Sequence, residues 1–294
     1  MPIQVLDCTL RDGGYYNNWE FDQGLVNDYL DGVSKSGIQI VELGLRSFPR
    51  KGFHGPFAYT SDDYLEDLDI PEHLKVCVMV DAKTVLHCGL PVAEAVQKLF
   101  KPVEQSKVGL VRIAAHFSEI DQCQPIVDKL KSLGYEIGLN MMQAGAQSIE
   151  NIYQKACLVK SWKYVDVLYF ADSMGNMSGK DVGNIISALQ KGWQGPIGLH
   201  AHNNMGLANS NCMEAIKLGV SWIDVTITGM GRGAGNAQAE IFLNDMENAA
   251  IGTFKAEPLY NLVLVHFGPL QKELGWGQNF AYHYSAINNI HPTY

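Results

Sequence analysis

Residues 74–81, LKVCVMVD, carry six apolar side chains in eight positions. Such a run reads as a strand buried on both faces, as in parallel sheets covered by helices on each side. Working outward, similar runs recur as IQVLDCTL (3–10), IQIVELGL (38–45), VGLVRIAA (108–115), YEIGLNMM (135–142), YVDVLYFA (164–171), PIGLHAH (196–202) and WIDVTIT (222–228). Their starts lie 26 to 36 residues apart, enough for one strand and one returning helix. Between them, apolar residues fall at three- and four-residue spacing, as in Ile126, Val127, Leu130 and Leu133, or Val182, Ile185, Ile186 and Leu189. Ser148 and Ser178 stand where helix N-caps are expected. Eight such alternations predict a closed (β/α)8 TIM barrel over residues 1–252. An open doubly wound sheet competes, but it usually carries a Gly-rich phosphate loop after its first strand. Here the first run leads into Arg11-Asp12-Gly13-Gly14. After residue 252 the period breaks, and LYNLVLVHFGPLQKELG predicts a C-terminal helical extension over 253–294.

The 294 residues suit one barrel plus that extension. With 47% hydrophobic and 18% charged residues, a large core is available and disorder is not expected. A net charge of −9 argues against a nucleic-acid partner, which would need a basic face. No apolar run reaches the roughly 18 residues of a membrane span, so no membrane partner is expected. The start, MPIQVLDCTLRDGG, lacks the charged and apolar regions of a secretion signal. The six cysteines form no C-x-x-C pair and read as reduced thiols of a cytoplasmic protein. Homo-oligomerisation is the ordinary expectation for such a barrel.

Barrel chemistry sits at the C-terminal ends of the strands. There the first run ends in Leu10-Arg11-Asp12 and the seventh in His200-Ala201-His202. Residues two apart on a strand face the same side, so His200 and His202 are expected to aim together. A closed barrel places the first strand two positions from the seventh, within reach of Asp12. Two imidazoles and a carboxylate suit a catalytic divalent ion with positions left open. Glu42, Arg112, His116, Asn140, Asp172 and Ser173 also fall at expected strand ends. The loop GMGRGAGN (229–236) allows close backbone approach to a ligand. It lacks the Lys-Ser/Thr ending of a P-loop.

Together, LDCTLRDGG, HAHNN and GMGRGAGNAQAE resemble the DRE-TIM metallolyase superfamily of HMG-CoA lyase and isopropylmalate synthase. VRIAAHFSEID, FADSMGNMS and the segment from GLHAHNN to GRGAGN are similar to the 4-hydroxy-2-oxovalerate aldolase family within it. The resemblance implies a divalent-metal-dependent aldolase that cleaves or forms a 4-hydroxy-2-oxo acid through a pyruvate-type enolate at the metal. It implies Mn2+ or Mg2+ on Asp12, His200 and His202, with Co2+ or Zn2+ also admissible. Arg11 would stabilise the enolate and Ser173 would meet the substrate carboxylate. His116 and Asn236 match further site positions, Asn236 being a metal ligand in some relatives. Where the aldolases carry a histidine after R-D-G, taken as the base, this chain has Tyr15. An ordinary phenol titrates near ~10, so Tyr15 serves as base only where nearby cations lower its pKa. Tyr16, His54, His116, His283 and Tyr284 are the other base candidates. The small 2-oxo acid and aldehyde are the implied ligands, and an aldehyde dehydrogenase the implied partner. Two other functions compete: an acyl-CoA-condensing synthase of the same superfamily, and a non-catalytic metal-binding member.

Overall fold

A computed structural model describes residues 2–290; the last four residues of the expected extension lie outside these. Eight strands follow one another as Gln4–Asp7 (β1), Ile40–Leu45 (β2), Lys75–Asp81 (β3), Val108–His116 (β4), Glu136–Met142 (β5), Val167–Asp172 (β6), Ile197–Ala201 (β7) and Trp222–Val225 (β8). All pair in parallel with their chain neighbours. β8 closes on β1, with Gln4 opposite Trp222 and Asp7 opposite Val225. The fold is a (β/α)8 barrel followed by C-terminal helices.

Alternation along the strands divides the core in two. Val5, Val41, Val76, Val78 and Val111 join the large apolar layer beneath the helices. Leu6, Cys8, Ile40, Cys77 and Leu110 form a smaller cluster of their own. Two residues further along their strands, Glu42 and Arg112 are fully buried and joined to each other and to Asp224. The apolar plug thus gives way to a charged layer toward the C-terminal mouth.

Both expected caps are present. The Ser148 hydroxyl accepts from Asn151 N–H, starting helix Ile149–Trp162. Ser178 and Asp181 form a reciprocal capping box ahead of helix Gly179–Gly192.

One expectation fails at β1. The run 3–10 is not one strand: β1 stops at Asp7, and Thr9–Asn17 is helical, with Arg11 and Asp12 in its first half. The Asp7 carboxylate accepts from Thr9 N–H at 2.8 Å and from the Tyr29 hydroxyl at 2.6 Å. The Thr9 hydroxyl in turn accepts from Ile227 N–H at 2.8 Å, locking the turn to the segment after β8. Gly13 and Gly14 weaken a helix intrinsically, yet packing requires them. A Cβ at Gly13 would overlap the Met230 side chain, and one at Gly14 the Trp19 indole. The helix therefore lies directly against the 229–236 loop.

Past β8, helices Glu257–Asn261, Gly268–Leu274 and Phe280–Ile287 follow, the first two joined by a π-helical stretch Leu262–Phe267. Leu262 and Phe267 are buried where this segment meets helix Gln23–Lys35. No helix among the described residues is long and apolar enough to cross a membrane.

Candidate metal and active site

The barrel mouth holds a cavity lined by Arg11, Asp12, Asn140, Ser173, His200 and His202, among others. Asp12 Oδ2 lies 3.7 Å from His200 Nε2. One ligand atom from each of Asp12, His200 and His202 falls within 4.8 Å of the others, and all three residues are buried. His202 lies one residue past β7, where it bridges to Asn236. Its ring still meets that of His200, with centroids 5.1 Å apart.

Burial, followed by the neighbouring His200, lowers the His202 pKa to about 3, so the ring is neutral and able to ligate. Burial alone would raise the Asp12 carboxyl; Arg11 beside it, then His200 and His202, hold it well below the usual range. Asp12 is therefore ionised. The Asn236 amide donates to Asp12 Oδ2, while its own Oδ1 is buried with no hydrogen-bond partner among the described residues. A neutral imidazole, an ionised carboxylate and an idle amide oxygen fit a divalent cation of mixed N/O preference. A second cluster, Cys8 with His200 and Asp224, fits less well. Burial pushes the Cys8 thiol up, and His200 Nδ1 is 2.9 Å from Asp224 Oδ2, as in a hydrogen bond.

That hydrogen bond directs His200 Nε2 toward Asp12. Asp224 also accepts from Arg112 Nη1 at 2.6 Å. Arg112 binds Glu42 through Nε at 2.6 Å and Nη2 at 2.8 Å. Glu42 Oε1 accepts from Arg11 Nε at 2.6 Å, and Arg11 Nη1 donates to Asp12 Oδ1 at 2.7 Å. A continuous buried chain thus runs Asp12–Arg11–Glu42–Arg112–Asp224–His200. Within it Arg11 Nη2 is buried and has no partner among the described residues. Arg11 lines the cavity, so Nη2 is an unpaired donor on a cavity-lining residue.

Ser173 lines the cavity, and its Oγ accepts from Gln143 N–H at 2.9 Å, leaving its own proton to donate. Asp172 has a loop-holding place, accepting from Asn176 and Met177 N–H. His116 is absent from the inner lining but lines an adjoining outer chamber. Tyr15 lines both and is 44% exposed, so it stands at the opening, not in the sealed interior. Tyr16 turns away, its hydroxyl donating to Gly233 O at 3.4 Å. The His54 ring contacts Lys51 O, and His283 and Tyr284 sit on the last helix. None of these four lines either chamber.

Reading the residues in isolation missed Asp224, Arg46, Arg50 and Arg232. Asp224 carried a signal: a carboxylate in the otherwise apolar WIDV of a strand buried on both faces. Arg232 had one too, as the only charged side chain of the Gly-rich loop. Arg46 had the signal of directly following the second apolar run, as Arg11 follows the first, and Arg50 had none.

A family model described as HMGL-like matches residues 2–262. The chain belongs to the HMGL-like family. This HMGL-like chain is 30% identical over 252 residues to a 4-hydroxy-2-oxovalerate aldolase of Geobacillus genomosp. 3, covering 85% of this chain and 72% of that protein. It is also similar to a crystal structure called "the N-terminal domain of a putative aldolase from Bacteroides vulgatus". The TM-score is 0.89 at 32% identity, covering 98% of this chain and 94% of that one. An HMG-CoA lyase structure from Bacillus subtilis shares the fold, with a TM-score of 0.74 at 15% identity over 94% of this chain and 96% of that one.

Proposed function

We propose that the protein is a divalent-metal-dependent aldolase that cleaves or forms a 4-hydroxy-2-oxo acid. The observation that carries this reading is the meeting of Asp12, His200 and His202 in one cavity wall with Arg11, whose Nη2 is unpaired. Asp12, His200 and His202 would hold Mn2+ or Mg2+, with Co2+ or Zn2+ also suited to the donors; the bound ion supplies Lewis acidity toward a 2-oxo acid. The remaining work falls to the chain itself. Arg11 Nη2 stabilises the negative charge of the enolate left by C–C cleavage. The Ser173 hydroxyl donates to the substrate carboxylate. Asn236 fixes Asp12, and His116 meets the outer part of the substrate. In its phenolate form Tyr15 would take the proton of the hydroxyl on the cleaved bond and become the neutral phenol, which returns that proton when the reaction runs toward condensation.

The primary test is hydrogen–deuterium exchange of pyruvate methyl protons, followed by NMR with each metal added. Metal-dependent exchange is expected; its absence with every ion would remove the aldolase reading. Free CoA released from acetyl-CoA and a 2-oxo acid would replace it by the condensing reaction.

His200→Ala is expected to weaken divalent-ion binding more than about tenfold, because three ligands leave little redundancy. Calorimetric titration checks this, and wild-type affinity in the variant would remove the triad as the metal site.

Tyr15→Phe is expected to slow cleavage about 10²-fold, the lower end of general acid–base effects, since the residue is half exposed. Pyruvate exchange should change much less, because enolisation moves a different proton. Equal slowing of both reactions, or of neither, would deny Tyr15 the role of base.

A further inference from the structure

The chain has five arginines, at positions 11, 46, 50, 112 and 232. Four line the inner cavity, and the fifth, Arg112, is buried in the charged chain that ends at the metal triad. The other 17 of the 22 basic residues are lysines. On a chain of net charge −9, arginine is thus confined to one place. Three of the five are neutralised: Arg11 by Asp12 and Glu42, Arg46 by Asp62, and Arg112 by Glu42 and Asp224. Arg50 and Arg232 have no carboxylate partner, and neither guanidinium donates a hydrogen bond, among the described residues. The Arg232 Nε is moreover buried without a partner.

Both are held by aromatic faces instead. The Arg50 guanidinium lies 5.4 Å from the Trp19 ring centroid, and that of Arg232 lies 4.6 Å from the Tyr15 centroid. Tyr15 and Trp19 themselves meet edge-on at 4.8 Å. A guanidinium held against an aromatic face spends no N–H on that contact, so its unpaired donors suit charge-assisted binding of an oxyanion. Arg50 and Arg232 line both the inner cavity, of about 80 Å³, and the outer chamber, of about 480 Å³. Lys83, also in the outer wall, is 3.6 Å from Asp81, which offsets it. Two positive charges without a carboxylate in salt-bridge contact therefore remain at the passage between the chambers, although Arg232 also acts on Asp12.

Resting on the aldolase reading, we infer that the substrate carries a second anionic group at the end remote from its 2-oxo acid. Arg50 and Arg232 clamp that group, a phosphate or a carboxylate. The acceptor aldehyde is then an anionic one, unlike the small neutral aldehyde that would complete 4-hydroxy-2-oxovalerate. The 2-oxo acid end fills the inner cavity beside Arg11, and the chain of the aldehyde half extends past Tyr15.

The test uses the full chain, with metal and pyruvate, against three acceptors: glyceraldehyde 3-phosphate, succinic semialdehyde and propanal. The kcat/KM for one anionic acceptor should exceed that for propanal by about 100-fold, and the favoured anion identifies phosphate or carboxylate. In Arg50→Met and Arg232→Met that ratio should fall about tenfold or more for each lost charge-assisted contact. In parallel, inorganic phosphate and succinate are titrated calorimetrically into metal-free protein, where one should bind and the variants should weaken it. Equal use of propanal and both anions overturns the clamp while leaving the aldolase reading standing. A raised KM for pyruvate with an unchanged acceptor ratio assigns the arginines to the donor, and also overturns it. If no acceptor reacts, loss of anion binding in both variants sustains the clamp and counts against the aldolase. Unaltered or absent anion binding in that case overturns the clamp as well.

Discussion

Arg11→Lys is expected to cost about 3 kcal/mol or more of transition-state stabilisation, a fall of about 100-fold or more in kcat/KM. The substitution keeps the charge, so the comparison isolates geometry. Arg11 divides its three nitrogens: Nε on Glu42, Nη1 on Asp12, and Nη2 left unpaired. A planar fork can hold both contacts and keep the third nitrogen free at once; a single ammonium drawn into the pocket between Glu42 and Asp12 has no donor left in a fixed direction. Glu42 keeps both of its contacts to Arg112, so the fold should survive. Pyruvate exchange by NMR gives the rate, and thermal melting confirms the fold. Near-normal exchange in the lysine variant would reduce Arg11 to a structural partner of Glu42 and withdraw its role at the enolate.

That three-way placement was not legible in the sequence, although the barrel was. Strands buried on both faces have to be almost continuously apolar, so LKVCVMVD or VGLVRIAA announces itself without reference to anything distant. β1 shows where such reasoning stops. Thr9 and Leu10 extend the apolar run, yet the strand ends at Asp7 because Tyr29 and Ile227, far along the chain, hold Asp7 and Thr9 in a turn. The helix beyond is disguised by Gly13 and Gly14, whose reason lies in Met230 and Trp19. The same division runs through the site. The two-residue spacing of His200 and His202 was readable, since a strand imposes it and the chain keeps it one residue past the end of β7. Asp12 arrives at the same point from the first half of a helix, not from a strand end. Arg50 and Arg232 come from loops, and what distinguishes them is the lack of a partner, which only the packed structure shows.

Arg112→Met is expected to destabilise the fold by about 3–5 kcal/mol, the range for removing one partner of a buried ion pair. Arg112 is 0% exposed and sits 4.6 Å from the Tyr169 ring centroid, so methionine replaces much of its stem but none of its charge. Glu42 would keep only Arg11 Nε and the weak Cys77 thiol donor, and Asp224 only His200. The Glu42 pKa gives the pH dependence. Burial would raise it, but Arg112 first and Arg11 second bring it down to about 2 from an ordinary value of 4.5. A lowered carboxylate contributes stability that is complete above its unfolded value and is lost as pH falls through its folded one. Part of that lowering disappears with Arg112. The gap between wild type and variant should therefore be full at neutral pH and narrow as pH falls from 4.5 toward about 2. Asp7, raised to about 6 by burial, has the opposite slope but cancels, because both proteins carry it. Urea denaturation at a series of pH values measures the gap. A difference under about 1 kcal/mol at pH 7 would show that water or rearrangement satisfies Glu42 and Asp224 without Arg112. The same variant carries a second consequence, since Arg112 joins the carboxylate that positions Arg11 to the one that positions His200. Where the folded variant persists, its divalent-ion affinity should fall with its stability, and a stable variant with wild-type affinity would separate the charged layer from the site above it.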